Sequence, residues 1–352
     1  LFPTNSPTVV LLLSEERSAT PSVTHISTST EIPLLSYTST PGFTETPTQE
    51  PTYTATLLPT FTLTPAPTPM GGGTGQIAFA STRSGSPQIW IMNADGTGIT
   101  QITDIAEGAC QPSWSPDGMR LVFIIPCPKQ QESYLGSSLF LIDVDGGNLT
   151  PLPTVSGGDY DPAWSPDGRF IAFTSLRGDF KPKLFLLDLE TNEVKLLADE
   201  GTKNMQPAWS RDGQKIAFAT TRRGPQQIWI MNADGSSQTL FTRSASLRNS
   251  FPAWSPSRID IIFTQDEPSQ NLPWLATATV GAEDTRGLPI YPDRGTPMRE
   301  AEYSPDGVWI VMEAWFLGEN HDLFLMLFNG TSLTRLTEER SWEFDPSWRP
   351  AP

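Results

Sequence analysis

The sequence predicts an all-β fold, a six-bladed β-propeller of four-stranded blades, preceded by a disordered Thr/Pro/Ser-rich stalk. Two observations carry that expectation. An aromatic phrase recurs every 45 to 50 residues beyond Gln76, and residues 1–70 are roughly half Thr, Pro and Ser.

The phrase reads PSWSPDG at 112–118, PAWSPDG at 162–168, PAWSRDG at 207–213, PAWSPS at 252–257, AEYSPDG at 301–307 and PSWRP at 346–350. Its anchors are Trp114, Trp164, Trp209, Trp254, Tyr303 and Trp348. A period of this length belongs to propeller blades rather than to helical repeats. Residues 206–242 set out one unit: a short strand to Ser210, an Arg-Asp-Gly turn, the β-rich run KIAFAT, a polar loop, QIWIMN, an Ala-Asp-Gly turn and a last short strand. No such unit buries both faces alone, so the blades must stack radially. The six anchors are expected between blades, and Trp164→Ala is expected to be strongly destabilising.

The two ends decide closure. The first unit starts at its second strand, Gln76, and the last phrase has no second strand after it. The C-terminal strand is therefore expected to complete the first blade and remove an open sheet edge. Blades then fall at 76–103 with 344–348, 111–152, 161–198, 206–242, 251–289 and 300–337. Two units follow: a linker at 1–75 and the propeller at 76–352.

The linker has too little apolar surface to offset the entropy of ordering it. Its prolines favour extended, semi-stiff backbone. The net charge of −16 argues against nucleic acid and anionic membrane surfaces. No apolar run is long enough to span a bilayer, so no direct membrane insertion is expected in this chain. The first residue is Leu, and an export signal or anchor upstream of Leu1 fits a spacer of this kind.

The recurring (D/Q)PAWSPDG, IAF and IWIMNADG phrases resemble the WD40-like PD40 repeat of the TolB family, across all of the chain after the stalk. The resemblance implies an extracytoplasmic bacterial protein, in the periplasm or at the cell surface, whose channel mouth receives protein partners. The family's N-terminal α/β domain is absent from this chain, and a stalk stands in its place. Similar propellers also follow such stalks in membrane-anchored kinases, and others gate prolyl-oligopeptidase-type enzymes. A sensory or gating portion of a larger enzyme is therefore the alternative to a free-standing binding propeller.

Catalysis within this chain is not expected. There is no G-x-S-x-G elbow, and the two histidines are His25, in the stalk, and His321, which reads as a polar loop residue. Neither a cofactor nor a metal is expected. Asp117, Asp167, Asp212 and Asp306 read as turn residues rather than calcium ligands.

Binding residues are sought where first strands enter the channel. The residue before the Pro or Ala of each phrase gives a ring: Gln111, Asp161, Gln206, Phe251, Glu300 and Asp345. Carboxylates and amides around one mouth would attract a cation or an inserted Lys or Arg; capped strand ends would use the same residues. The loops 126–137, 243–250, 289–299 and 338–344 share that face, with exposed-looking Tyr134, Tyr291 and Trp342. They point to a protein or cell-envelope glycan partner. The chain is expected to be a monomer. If Trp114 faces Phe123 across its hairpin, Cys110 faces Cys127, and a disulfide would imply an oxidising compartment. Blade 5, with SPSR for its turn and Pro273 at its third strand, is expected to be irregular.

Overall fold

A computed structural model of the chain describes residues 75–350, apart from 154, 156, 202, 271, 292–294 and 317–319. The expected linker at 1–75 lies outside the described residues except for Gly75.

Six four-stranded antiparallel sheets form the blades. Their innermost strands are Glu343–Trp348, Cys110–Trp114, Asp159–Trp164, Asn204–Trp209, Arg248–Trp254 and Met298–Tyr303, for blades 1 to 6. Blade 1 is closed as its sequence requires: Ile77 pairs with Trp348 and Ser81 with Glu343. The turn aspartates bond locally. Ser115 Oγ donates to Asp117 Oδ1 at 2.5 Å, and the Met119 N–H reaches the same oxygen at 2.9 Å. The arrangement repeats at Asp167, Asp212 and Asp306.

The core is distributed rather than central. Six hydrophobic clusters of buried residues lie between neighbouring sheets, one at each junction. Ala78, Ile89 and Ile91 of blade 1 meet Trp114, Leu121 and Phe123 of blade 2, for example. Val311 and Leu323 of blade 6 meet Ile77 and Trp348, which completes the circuit. The anchors also carry polar ties. The indoles of Trp114, Trp209 and Trp254 donate to the carbonyls of Ser347, Ala163 and Ala208 in the preceding blade, at 3.0 to 3.1 Å. Trp164 instead donates to Gly168 in its own turn.

Every blade also ties the start of its first strand to the end of its second. Arg83, Arg177 and Arg222 reach back to Glu343, Asp159 and Asn204 at 3.2, 2.9 and 3.0 Å. In blades 5 and 6 the polarity is reversed: Arg248 and Arg299 on the first strand meet Asp266 and Glu313, each at 2.9 Å. Blade 2 has a disulfide at this place, Cys110–Cys127, with Cα atoms 5.8 Å apart.

The expected cysteine pair is therefore formed, but not by the expected register. Trp114 pairs with Leu121, not Phe123, and a bulge then sets Cys110 opposite Ile124. Cys127 lies beyond the strand end, its N–H bonded to the Gly108 carbonyl at 3.0 Å. Replacing both cysteines by serine is expected to cost about 3 kcal/mol for a closed loop of this size. Urea unfolding with and without dithiothreitol checks this. An unchanged midpoint on reduction would remove the disulfide from the stabilising set.

Blade 5 is regular, against expectation. Its four strands pair in order, and the Arg258 N–H reaches Ser255 Oγ at 3.2 Å in place of the usual aspartate bond. Pro273 precedes the strand Trp274–Thr279, where no ladder N–H is required.

Candidate channel-mouth binding site

The six ring residues all have positive φ: 56° at Gln111, 50° at Asp161, 57° at Gln206, 48° at Phe251, 52° at Glu300 and 51° at Asp345. In five of the six the next residue is Pro, which has no N–H for the ladder. Each first strand bulges there, as between Tyr160, opposite Thr174, and Ala163, opposite Ala172. Left-handed backbone costs an L-residue about 1–2 kcal/mol. The molecule bears that cost six times around one opening.

Hydrogen bonds around the ring offset it. Asp345 Oδ2 accepts the Gln111 N–H at 2.9 Å, Gln111 Oε1 the Asp161 N–H at 2.8 Å, Asp161 Oδ2 the Gln206 N–H at 3.1 Å, and Gln206 Oε1 the Phe251 N–H at 3.0 Å. Phe251 has no acceptor to pass on, and the Glu300 N–H turns to Thr264 Oγ1 at 3.1 Å. Below the ring the prolines and small residues of the phrases line a channel of about 600 Å³.

The ring carries less charge than its carboxyl count implies. Burial, then the neighbouring charge of Glu300, hold Asp345 well above the usual carboxylate range, and its proton bonds to Glu300. Burial also raises Glu300, against the opposing pull of Arg299. Asp161 is pushed up to about 6 by burial, against hydrogen bonds from Thr174 and Gln111. Deeper in the wall, burial lifts Glu302 to about 7 while its Oε2 accepts the Trp348 N–H at 2.9 Å.

A buried network behind Glu300 was not anticipated from the sequence. Arg299 donates to Glu313 Oε1 at 2.9 Å, and Gln130 Nε2 to Glu313 Oε2 at 2.8 Å. Burial resists a charge on Glu313, but Arg299 and His321 outweigh it and hold its carboxyl below the ordinary value. His321 bonds Glu313 through Nδ1. Its ring lies between Trp315 and Trp342, with centroids 4.1 and 4.4 Å away and nearly parallel planes. It is thus no mere polar loop residue. One signal was available: Arg299 occupies the position before the ring residue, which is Cys110, Tyr160, Met205 and Phe344 in four other blades.

The loop aromatics divide. Trp342 is exposed at 46 %. Tyr134 is buried, contrary to expectation, because its loop folds inward and packs it against Tyr160 with centroids 5.9 Å apart. Tyr291 is half-buried against the core between blades 5 and 6. Three of the expected loops are also shorter: residues 248–250, 298–299 and 343–344 already belong to first strands. Among the described residues, no three His, Cys, Asp or Glu side chains converge as a metal site. No helix among them is long and apolar enough to cross a membrane.

Residues 127–272 match the family model described as PD40, the TolB beta propeller domain. The propeller is TolB-like. TolB from Acinetobacter baumannii superposes with a TM-score of 0.67 at 21 % identity, covering 80 % of this chain and 68 % of that one. A putative TolB from Agrobacterium tumefaciens gives 0.60 at 17 % identity, covering 78 % and 98 %. Hydrazine synthase from Kuenenia stuttgartiensis gives 0.65 at 12 % identity, covering 80 % of this chain and 47 % of that one. Over 48 residues the chain is 44 % identical to an uncharacterized protein of Agrobacterium fabrum, a match spanning 14 % of this chain and 16 % of that protein. The TolB-like fold thus accounts for the described residues.

Proposed function

We propose that this TolB-like propeller is a non-catalytic binding module working outside the cytoplasm, and that its channel mouth accepts a Lys or Arg side chain of a protein partner. The observation that carries this reading is the strained ring around the channel, with Asp161 and the proton-sharing Glu300–Asp345 pair in its rim. Two partly charged acid sites in a low-dielectric mouth favour an ammonium or guanidinium group, which brings its own donors. The mouth offers acceptors around an opening rather than a converging metal cage. The disulfide supports an oxidising compartment, and the Thr/Pro-rich spacer suits a domain held away from a surface.

The test is a titration of the purified protein with labelled peptides bearing one Lys or Arg, or neither. Asp161→Asn with Glu300→Gln is expected to weaken the cationic peptides by at least tenfold at pH 7.5 and leave the neutral one unchanged. Equal affinity of parent and variant for the cationic peptides would overturn the reading. Competition by a simple metal salt at matched ionic strength would identify a free cation as the occupant.

A further inference from the structure

Among the described residues the channel is covered at its ring end and open at the other. Each first strand carries a ring residue and, five positions on, a residue of the turn: Gln111 and Pro116, Asp161 and Pro166, and likewise around the circle. Both sets line the one channel. Five strand steps span about 16 Å. Over the ring lies the blade-2 loop. Its Gln130 reaches across to blade 6, with Nε2 2.8 Å from Glu313 Oε2 and 3.5 Å from Glu300 Oε2. Tyr134 of the same loop is buried beside the ring carboxyls. Burial, then the charge of Asp345, hold its phenol above the ordinary value, and Glu300 and Asp161 add to the effect. The loop is rooted by Cys110–Cys127 and seated on Gly158, where a Cβ would stand 2.3 Å from the Tyr134 carbonyl oxygen. The way to the ring is therefore from the turns.

That way is long and narrow. The layer two positions beyond the ring is Ser113, Ala163, Ala208, Ala253, Glu302 and Ser347, and all but one of these are small. A volume of about 600 Å³ over that depth gives a mean cross-section of about 40 Å². One extended strand occupies about 48 Å², the product of the strand and sheet spacings, and a hairpin takes twice that. A helix, about 10–12 Å across, needs as much room as a hairpin. The channel thus fits one extended chain of small residues. A Lys side chain reaches only about 6 Å from its Cα, so it cannot touch the ring from a chain docked outside. The path is acidic at its far end, with Asp161 and the Glu300–Asp345 pair, and Glu302 stands in its wall. At the entrance Arg211 is drawn aside, its Nη1 2.7 Å from the Pro256 carbonyl.

We propose that the channel takes the free amino-terminal end of the partner chain, threaded in extended form from the turn face, with a Lys or Arg at its first or second residue resting on the ring. The inference rests on the channel-mouth reading and names the part of the partner that is bound. About five extended residues fill the depth. An amino end brings its own ammonium to the carboxyls, whereas a carboxyl end would set a negative charge against them. An internal Lys is excluded by length, because the chain beyond it would have to pass the covered end or turn back in a bore too narrow for two strands. The walls are preformed, which keeps the cost of ordering the complex on the side of the peptide.

The experiment uses labelled Gly/Ser-based peptides of about twenty residues, several times longer than the channel is deep. One has Lys at the second residue behind a free amino terminus. The others carry Lys at the centre, carry Lys beside the carboxyl end, close the first peptide head to tail, or lack Lys and bear an acetyl cap. The first is expected to bind at least about tenfold tighter than each of the others, the difference made by hydrogen bonds to a charged group. Ala208→Leu, which narrows the bore, is expected to erase that advantage with an unfolding midpoint like the parent's. If the cyclic or central-Lys peptide binds as tightly as the first, and both exceed the Lys-free chain, no chain end is needed; the inference falls and the ring reading stands. Equal binding of the peptide with Lys beside its carboxyl end would also overturn the inference, since the assigned end would be wrong. Unchanged affinity of the first peptide for Ala208→Leu would mean that entry does not run through the bore, with the same result. If no Lys peptide exceeds the Lys-free chain, both readings fall.

Discussion

Trp348→Ala is expected to cost the propeller about 3–5 kcal/mol, the range for deleting a buried large aromatic side chain. Trp348 is 2 % exposed, and its ring lies in the cluster shared by Ile77, Phe79, Met92, Val311 and Leu323 of two blades. It also pairs with Ile77 in the seam that joins the end of the chain to its beginning. Its backbone N–H is held by Glu302 of the preceding blade. Loosening this strand uncovers the edge of Gln76–Ser81 as well as leaving a cavity. The half-buried Trp254 is the internal control, since it sits in a blade whose strands are consecutive in sequence. Urea unfolding should rank Trp348→Ala below Trp254→Ala by at least about 1 kcal/mol. The opposite order would mean that closure adds nothing to ordinary core packing.

Closure was legible in the sequence because it follows from counting: one unit lacked a first strand and one first strand lacked a unit. The turns were legible because Ser-x-Asp-Gly carries its own bonding, seen in Ser115 and Asp117. What escaped was register. A residue before proline bulges out of its strand, which shifts every pairing on the far side, so the cysteines meet across a different frame from the one a simple hairpin implies. Tyr134 escaped for a related reason. Apart from Leu135 its neighbours in QESYLGSS are polar or glycine, and the disulfide and the seat on Gly158 turn it inward. The positions of the ring residues were readable from the repeat, but not that four of their side chains would each hold the next ring residue's N–H. The Arg299–Glu313–His321 network left one trace, a charge at an otherwise largely apolar position. Its meaning depends on which strand supplies the arginine of each blade's cross-tie.

Stability is expected to fall as pH rises from about 4 to 8, and Glu302 carries a large share of the fall. Its carboxyl is lifted by burial from 4.5 to about 7, and that of Asp161 from 3.8 to about 6. A raised acid binds more protons folded than unfolded, so its contribution is complete below the unfolded value and is lost as pH passes the folded one. Each shift corresponds to about 3 kcal/mol over that window. Burial raises Asp345 and Glu300 as well, with the same sign. Asp117 and Asp212, lowered by their serine hydrogen bonds, act below pH 4 and do not offset the fall. Glu302→Gln keeps an acceptor for the Trp348 N–H and removes the titration. It should leave stability unchanged near pH 4 and raise it by about 3 kcal/mol at pH 8. Calorimetry at the two pH values decides, and a parent-like slope in the variant would reassign the effect. The same deprotonation supplies the charge at Asp161 that a bound Lys or Arg requires. Partner affinity and intrinsic stability should therefore run in opposite directions with pH, and saturating cationic peptide should flatten the stability profile between pH 5 and 8.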